Sequence, residues 1–264
     1  MPQKPSPLPS VELHGQPATF LEFQQGRDVL LPGLSWLRPR IARVLQGVKE
    51  IHASDRVVQV KPGELIWIPG GLLVDVKNIP SNGLYRAEVL SLSPELFTQL
   101  PIAPPTEAER VPCLIPLSGA PIQESWERVV EGYKEDLPTA PKIFRVLELL
   151  AWVQSTGIQF SSAKPAFHQR LLERFSSDPG KVWRLSGLSR DLAMSEDTLQ
   201  RRLARENTTF RSVLQEARLC KALTLLQTTD HHVSWIAEEV GFTSASHFAL
   251  RFRARFGVSP SQIR

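Results

Sequence analysis

Cysteine is scarce in this chain. Only Cys113 and Cys220 occur, far apart and each in apolar surroundings, which argues for free thiols in a reducing cytoplasm rather than a disulfide. No apolar run approaches the roughly 20 residues that a membrane span needs, so no membrane partner is expected. The opening MPQKPSPLPS lacks the apolar stretch of a signal peptide and reads as a disordered, proline-rich tail over residues 1–16. Catalytic and metal signatures are missing too. The strand-rich region holds His14 and His52 without clustering, His231-His232 lacks ligand spacing, and Asp55 and Glu64 are lone acids. There is no G-x-S-x-G, P-loop or G-x-G-x-x-G. No active site, metal or cofactor is expected.

What is present is uneven. Residues 161–264 carry 16 Lys and Arg against 10 Asp and Glu, whereas residues 1–160 carry 15 against 17. A basic C-terminal half on a near-neutral N-terminal half suggests a polyanion-binding domain attached to something else. The 264 residues suffice for two domains, each with its own core.

Residues 17–92 break into short apolar or alternating runs, ATFLEF, RDVLL, IARVLQ, VKEIHA, RVVQV, ELIWIP, GLLVDVK and LYRAEVLSL, punctuated by turn residues such as Pro62-Gly63 and Asn82-Gly83. Strands this close, without helices between them, predict an antiparallel sandwich or small barrel. A short helix is expected over Pro94–Leu100 with Ser93 as its N-cap, then a proline-rich connector over 101–118. Two helices follow. One carries Ile122, Trp126, Val129, Val130 and Tyr133 at helical spacing. The other carries Ile143, Leu147, Leu150, Ala151 and Gln154. They are expected to pack together, against the sheet or a second subunit. The fold class predicted is α+β: a regulatory or dimerisation β-domain over 17–157, a linker over 158–165, and an all-helical domain over 166–264.

Within the helical domain a single pattern occurs twice, at about 185–206 and 233–255. In IAEEVGFTSASHFALRFRARFG the small Ala237 lets a second helix approach. Gly241 stands where the turn needs positive φ. Phe242 plugs the gap, and Phe248 and Phe252 turn one face of the next helix inward. In LSRDLAMSEDTLQRRLAREN the corresponding residues are Ser189, Ala193, Met194, Leu199 and Leu203, with Ser195 as N-cap and Asn207 as a left-handed C-cap. This is helix-turn-helix geometry. A helix from about Phe210 to Leu226 joins the copies, whose turn positions are 48 residues apart. Two recognition helices about 34 Å apart meet successive major grooves of B-DNA.

These residues, with Trp183, Leu185, LQRRL, Arg218-Leu219, Ala222, Leu225-Leu226, Phe256-Gly257 and Pro260, resemble the AraC/XylS family of bacterial transcription regulators over roughly 166–264. Asn207 replaces a usual glycine, and Leu250 stands where the family usually has arginine. Upstream, the chain is less specifically similar to the family's cupin-like barrel with trailing helices. The resemblance implies a cytoplasmic, sequence-specific transcription regulator, more an activator than a repressor. The implied partners are promoter DNA, RNA polymerase, a small-molecule effector and a second copy of the chain. The competing reading is an N-terminal half that docks a protein and holds no ligand. A DNA-repair methyltransferase is disfavoured, because its cysteine-rich metal domain and Pro-Cys-His-Arg site are missing.

By the family pattern, base edges are contacted by Glu196, Asp197, Gln200 and Arg201 in the first motif and by Ala245, Ser246, His247 and Leu250 in the second. Arg suits guanine, Gln suits adenine and Asp suits cytosine. Arg202, Arg205, Arg251, Arg253 and Arg255 are the expected phosphate contacts. The second motif, with Ala245 and Leu250 outward, is expected chiefly to grip the backbone.

Overall fold

The computed structural model describes residues 16–53, 56–100, 111–117, 121–160 and 166–263. His14, Asp55, nearly all of the expected tail, most of the connector and the linker beyond residue 160 lie outside them. The chain divides into two compact units at residues 163/164.

Among its described residues the N-terminal unit has nine strands: β1 Ala18–Gln25, β2 Val29–Ser35, β3 Arg40–Gln46, β4 Val48–Ala53, β5 Arg56–Val60, β6 Leu65–Ile68, β7 Leu73–Ile79, β8 Tyr85–Leu92 and β9 Cys113–Ile115. They form two sheets, β1-β8-β3-β6-β9 and β2-β7-β4-β5, and every pairing is antiparallel. Asn82 and Gly83 both take positive φ in the β7–β8 turn, the backbone that a two-residue hairpin requires. Strand β9 falls inside the segment expected to be a plain connector. Only three residues long, it lacks the alternation that would have marked it.

Successive strand residues face opposite ways, and the first sheet uses both faces. Phe20, Ile41, Trp67 and Leu90 join one cluster with Ile122, Trp126 and Val129 of α1 (Ile122–Lys134) and Val146, Leu149 and Val153 of α2 (Thr139–Ser155). The in-register set Leu21, Val89, Ala42 and Ile66 lies on the other face, which gives the sandwich interior with Leu31, Val76 and Ile51 of the second sheet, themselves in register. The trailing helices thus pack together and on the first sheet. Of the expected stripe of α2, Leu150 is buried and Ile143 and Leu147 pack at the margin of this cluster; Val146, Leu149 and Val153 complete the buried row in place of Ala151, which is exposed, and Gln154. Apolar residues occupy two adjoining stripes of this helix, and spacing alone does not rank them. Pro94–Gln99 forms a 3-10 turn. Ser93 does not cap it, because its hydroxyl bonds the Glu95 carboxylate instead.

One charged group fastens the helices to the sheet. Glu88 of β8 is only 2% exposed. It accepts from Arg43 Nη2 at 2.9 Å, Trp126 Nε1 at 3.1 Å and Lys134 Nζ at 3.3 Å. Among the described residues no three His, Cys, Asp or Glu side chains gather to hold a metal ion, and no helix is long and apolar enough to cross a membrane.

Removing a buried carboxylate strands its partners. Glu88→Ala is therefore expected to lower stability by about 3 kcal/mol, read as a lower urea midpoint. A loss below about 0.5 kcal/mol, the scale of an ordinary surface change, would remove Glu88 from this role.

Candidate nucleic-acid interface

The C-terminal unit consists of α3 Phe167–Ser177, α4 Leu185–Asp191, α5 Glu196–Arg205, α6 Phe210–Thr228, α7 Val233–Glu239 and α8 Ala245–Phe256, followed by a 3-10 turn at Pro260–Gln262. The two motifs are α4–α5 and α7–α8. Their turns are built alike. In the first, Ala193 N–H donates to Arg190 O and Met194 N–H to Ser189 O, each at 3.0 Å. In the second, Gly241 N–H donates to Glu238 O at 2.8 Å and Phe242 N–H to Ala237 O at 2.9 Å. The turn residues are left-handed, Ala193 at φ 52° and Gly241 at φ 84°. The second connection is one residue longer before its helix. Ser195 caps α5, whereas Ser244 caps α8.

Each motif has its own core. Leu199 and Leu203 sink among Phe167, Leu171, Phe175 and Val213, with Met194 and Trp183 packed at the margin. In the second motif Phe242, Phe248, Phe252 and Phe256 form a ladder with successive ring centroids 5.4, 5.5 and 4.7 Å apart. Burying these rows points the opposite helix faces to solvent. Glu196, Asp197, Gln200 and Arg201 are all exposed on α5, as are Ala245, Ser246, His247 and Leu250 on α8. Asp197 and Arg201 pair at 3.0 Å across one helical turn. In the second motif, Arg251 Nε lies 3.3 Å from His247 Nε2.

The five arginines expected at phosphates divide. Arg205, Arg251 and Arg253 are exposed. Arg202 is exposed and lies over the Phe167 ring, 4.3 Å from its centroid. Arg255 is set apart: it is half-buried and donates Nε to Glu216 Oε2 at 2.8 Å and Nη2 to Glu216 Oε1 at 2.7 Å. Those hydrogen bonds hold its pKa above the usual guanidinium value despite burial. The sequence offered it as a phosphate contact; its partner in the structure is 39 residues away in sequence, on α6.

The residue with the widest reach is Arg218, in the middle of α6. Its Nε donates to Pro179 O at 2.9 Å and its Nη2 to Lys181 O at 3.3 Å, both in the loop between α3 and α4. The same guanidinium lies against the turn of the second motif. A Cβ on Gly241 would stand 2.7 Å from Arg218 Nη2 and 2.9 Å from Pro179 O, and one on Gly180 would stand 2.8 Å from Glu239 O. The α3–α4 loop and the α7–α8 turn are thus in direct contact, and Arg218 bonds one while backing the other. Desolvation there pulls its pKa below the usual value. The sequence marked Arg218 as a member of a pattern but gave no role, since its partners lie 37 and 39 residues away.

Gly241→Ala would force a left-handed alanine into the guanidinium and is expected to cost about 1–3 kcal/mol. Ala193→Gly at the matching turn is expected to change stability by less than about 1 kcal/mol, since relief of strain offsets the lost chain stiffness. Urea unfolding of both variants tests this. Equal effects would mean that contact with Arg218 does not distinguish the turns.

Residues 188–264 match the family described as "Helix-turn-helix domain". The HTH-type transcriptional activator FapR of Escherichia coli is 31% identical over 104 residues, 39% of this chain and 40% of that protein, so this chain spans less than half of the relative's length. A lysine-to-alanine variant of ToxT from Vibrio cholerae, in its apo form, has a TM-score of 0.63 at 13% identity, covering 95% of this chain and 98% of ToxT. Wild-type ToxT described as bound to an unsaturated fatty acid has a TM-score of 0.61 at 12% identity, covering 93% and 94%. The chain therefore carries a helix-turn-helix domain together with a β-rich, cupin-like unit, and it shares the fold of ToxT.

Proposed function

We propose that the protein is a sequence-specific DNA-binding activator of transcription, and that its N-terminal unit receives a small-molecule effector. The observation that carries the DNA end is the duplication: two turns of the same hydrogen-bond pattern, each presenting a solvent-facing helix, held together through Arg218. Base edges are read mainly by Glu196, Asp197, Gln200 and Arg201. The Asp197–Arg201 pair offsets some of the acid's repulsion from phosphates. Ala245 and Leu250, the latter 66% exposed, offer only apolar contact, which leaves Ser246 and His247 as the hydrogen-bonding groups of that face. The second motif is therefore a backbone grip through Arg251 and Arg253, with Arg202 and Arg205 as counterparts in the first. Arg255 supports α8 from within its Glu216 pair. The regulator acts in the cytoplasm, with RNA polymerase and a second copy of the chain as partners. The effector reading draws its support from the N-terminal fold, which in ToxT accompanies a bound fatty acid.

Sites selected from random DNA by the full chain supply the probe. Arg201→Ala is expected to lose about 1–3 kcal/mol on the selected site and to relax preference at one base pair. Equal loss on selected and random DNA would falsify base reading by this residue. Arg253→Ala is expected to weaken both DNAs alike and to reduce the salt slope by about one. An unchanged slope would take Arg253 off the phosphates.

A further inference from the structure

At one end of the sandwich interior, polar groups from both sheets meet. Gln25 of β1 and Tyr85 of β8 are register partners in the first sheet; Lys49 of β4 and Asn78 of β7 are partners in the second. Lys49 stands in register between Val60 and Asn78, which are 0% and 3% exposed, so its side chain turns inward with theirs. Its Nζ donates to Asn78 Oδ1 at 2.7 Å and lies 5.3 Å from the centroid of the Tyr85 ring. Asn78 Nδ2 in turn donates to Gln25 Oε1 at 3.0 Å, and Gln25 Nε2 to Arg27 O at 2.7 Å.

What remains at this spot is donor capacity. An ammonium has three donors, and one is taken by Asn78. Tyr85 is 1% exposed, and its hydroxyl finds no hydrogen-bond partner among the described residues. Among those residues no acid pairs with Lys49, so a half-buried cation stands without a counter-charge, which is costly. Burial, and then the charge of Arg40 on β3, bring the Lys49 amine down to about 7. The ammonium and the phenol both favour a negatively charged acceptor, and the surrounding wall of Val29, Val60, Val76 and Ala87 is apolar.

We propose that Lys49 and Tyr85 form the head-group site for a small organic carboxylate inside the N-terminal unit, with Asn78 and Gln25 positioning the lysine. This rests on the effector reading and gives it a chemical class and two ligating residues. The ammonium and the phenol O–H each donate to the carboxylate, and its hydrocarbon tail lies along the apolar wall.

The test uses the full chain with straight-chain monocarboxylates from butyrate to decanoate, and benzoate, against the matching primary alcohols. Thermal unfolding and titration calorimetry are the readouts. At least one carboxylate is expected to raise the melting temperature where its alcohol does not. Lys49→Met is expected to abolish that rise, and Tyr85→Phe, nearly isosteric, to weaken binding at least threefold. Carbon-13 labelling at Lys49 Cε gives a reading that needs no variant: on saturation the amine's titration is expected to move upward by at least one pH unit. The proposal is overturned if no carboxylate in the series stabilises the wild type, or if one binds Lys49→Met and wild type alike. A neutral metabolite that alters DNA binding would sink this site while leaving the effector reading intact. If no small molecule alters DNA binding, it is the effector reading that fails.

Discussion

Two helix-turn-helix motifs on one chain can act together on one duplex only if their separation is set, and in this protein Arg218 bonds the loop before the first motif and backs the turn of the second. The linking helix α6 has 19 residues, so it spans about 28 Å, near the groove repeat of about 34 Å. Length alone does not set phase. A motif free to swivel at either end of α6 would face its groove only some of the time, and ordering it on DNA would consume binding energy. Arg218 removes that freedom. Its guanidinium takes two carbonyls of the α3–α4 loop, while Gly241 and Gly180 let the second motif's turn close against it with no side chain between. Arg255 and Glu216 repeat the device farther along, tying the end of α8 to α6. The second binding event then becomes nearly intramolecular, the condition under which two weak contacts multiply.

Within that frame the two motifs are unequal in chemistry though alike in backbone. The first puts a carboxylate–guanidinium pair and an amide on its outer face, groups with directional hydrogen bonds. The second puts a methyl group, one hydroxyl, an exposed leucine and a histidine there, and keeps its cations on the flanks. Direct readout needs donors and acceptors matched to base edges, whereas a phosphate needs only positive charge at the right distance. On the proposed reading a fixed frame makes this division workable, because a backbone grip that carries no sequence information would still set the register in which α5 meets the bases.

The elements that could be read from the sequence were those whose physics is local. The two turns were legible because a positive φ after a short helix, a small residue four positions earlier and an aromatic or methionine plug leave marks within six residues. The antiparallel strands were legible from alternation and from Pro62-Gly63 and Asn82-Gly83. What could not be read depended on distant partners. Strand β9 exists because it completes an edge beside β6, not because three residues prefer it. The buried stripe of α2 was decided by what α1 and the sheet presented. The pairing of Arg255 with Glu216 joins residues 39 apart in sequence, and the cluster around Lys49 unites four strands that share no motif.

Both units use a charged group to join their layers, and they do so in ways that differ energetically. Glu88 answers two cations and an indole from a site that is nearly dry. Arg218 answers neutral carbonyls at a half-buried surface. Neither arrangement is the most stable way to fill its space, since apolar groups of similar volume often serve as well. What a fixed charge adds is uniqueness. An apolar contact between α1 and the sheet could slide by a residue with little penalty, whereas a carboxylate that must meet Arg43, Lys134 and Trp126 together admits one register. The same reasoning applies at Gly241, where a loose apolar contact would leave the motifs at a range of angles and a guanidinium bonded to two named carbonyls leaves few. Specificity of geometry, more than depth of stability, is what the proposed reading of two successive grooves requires.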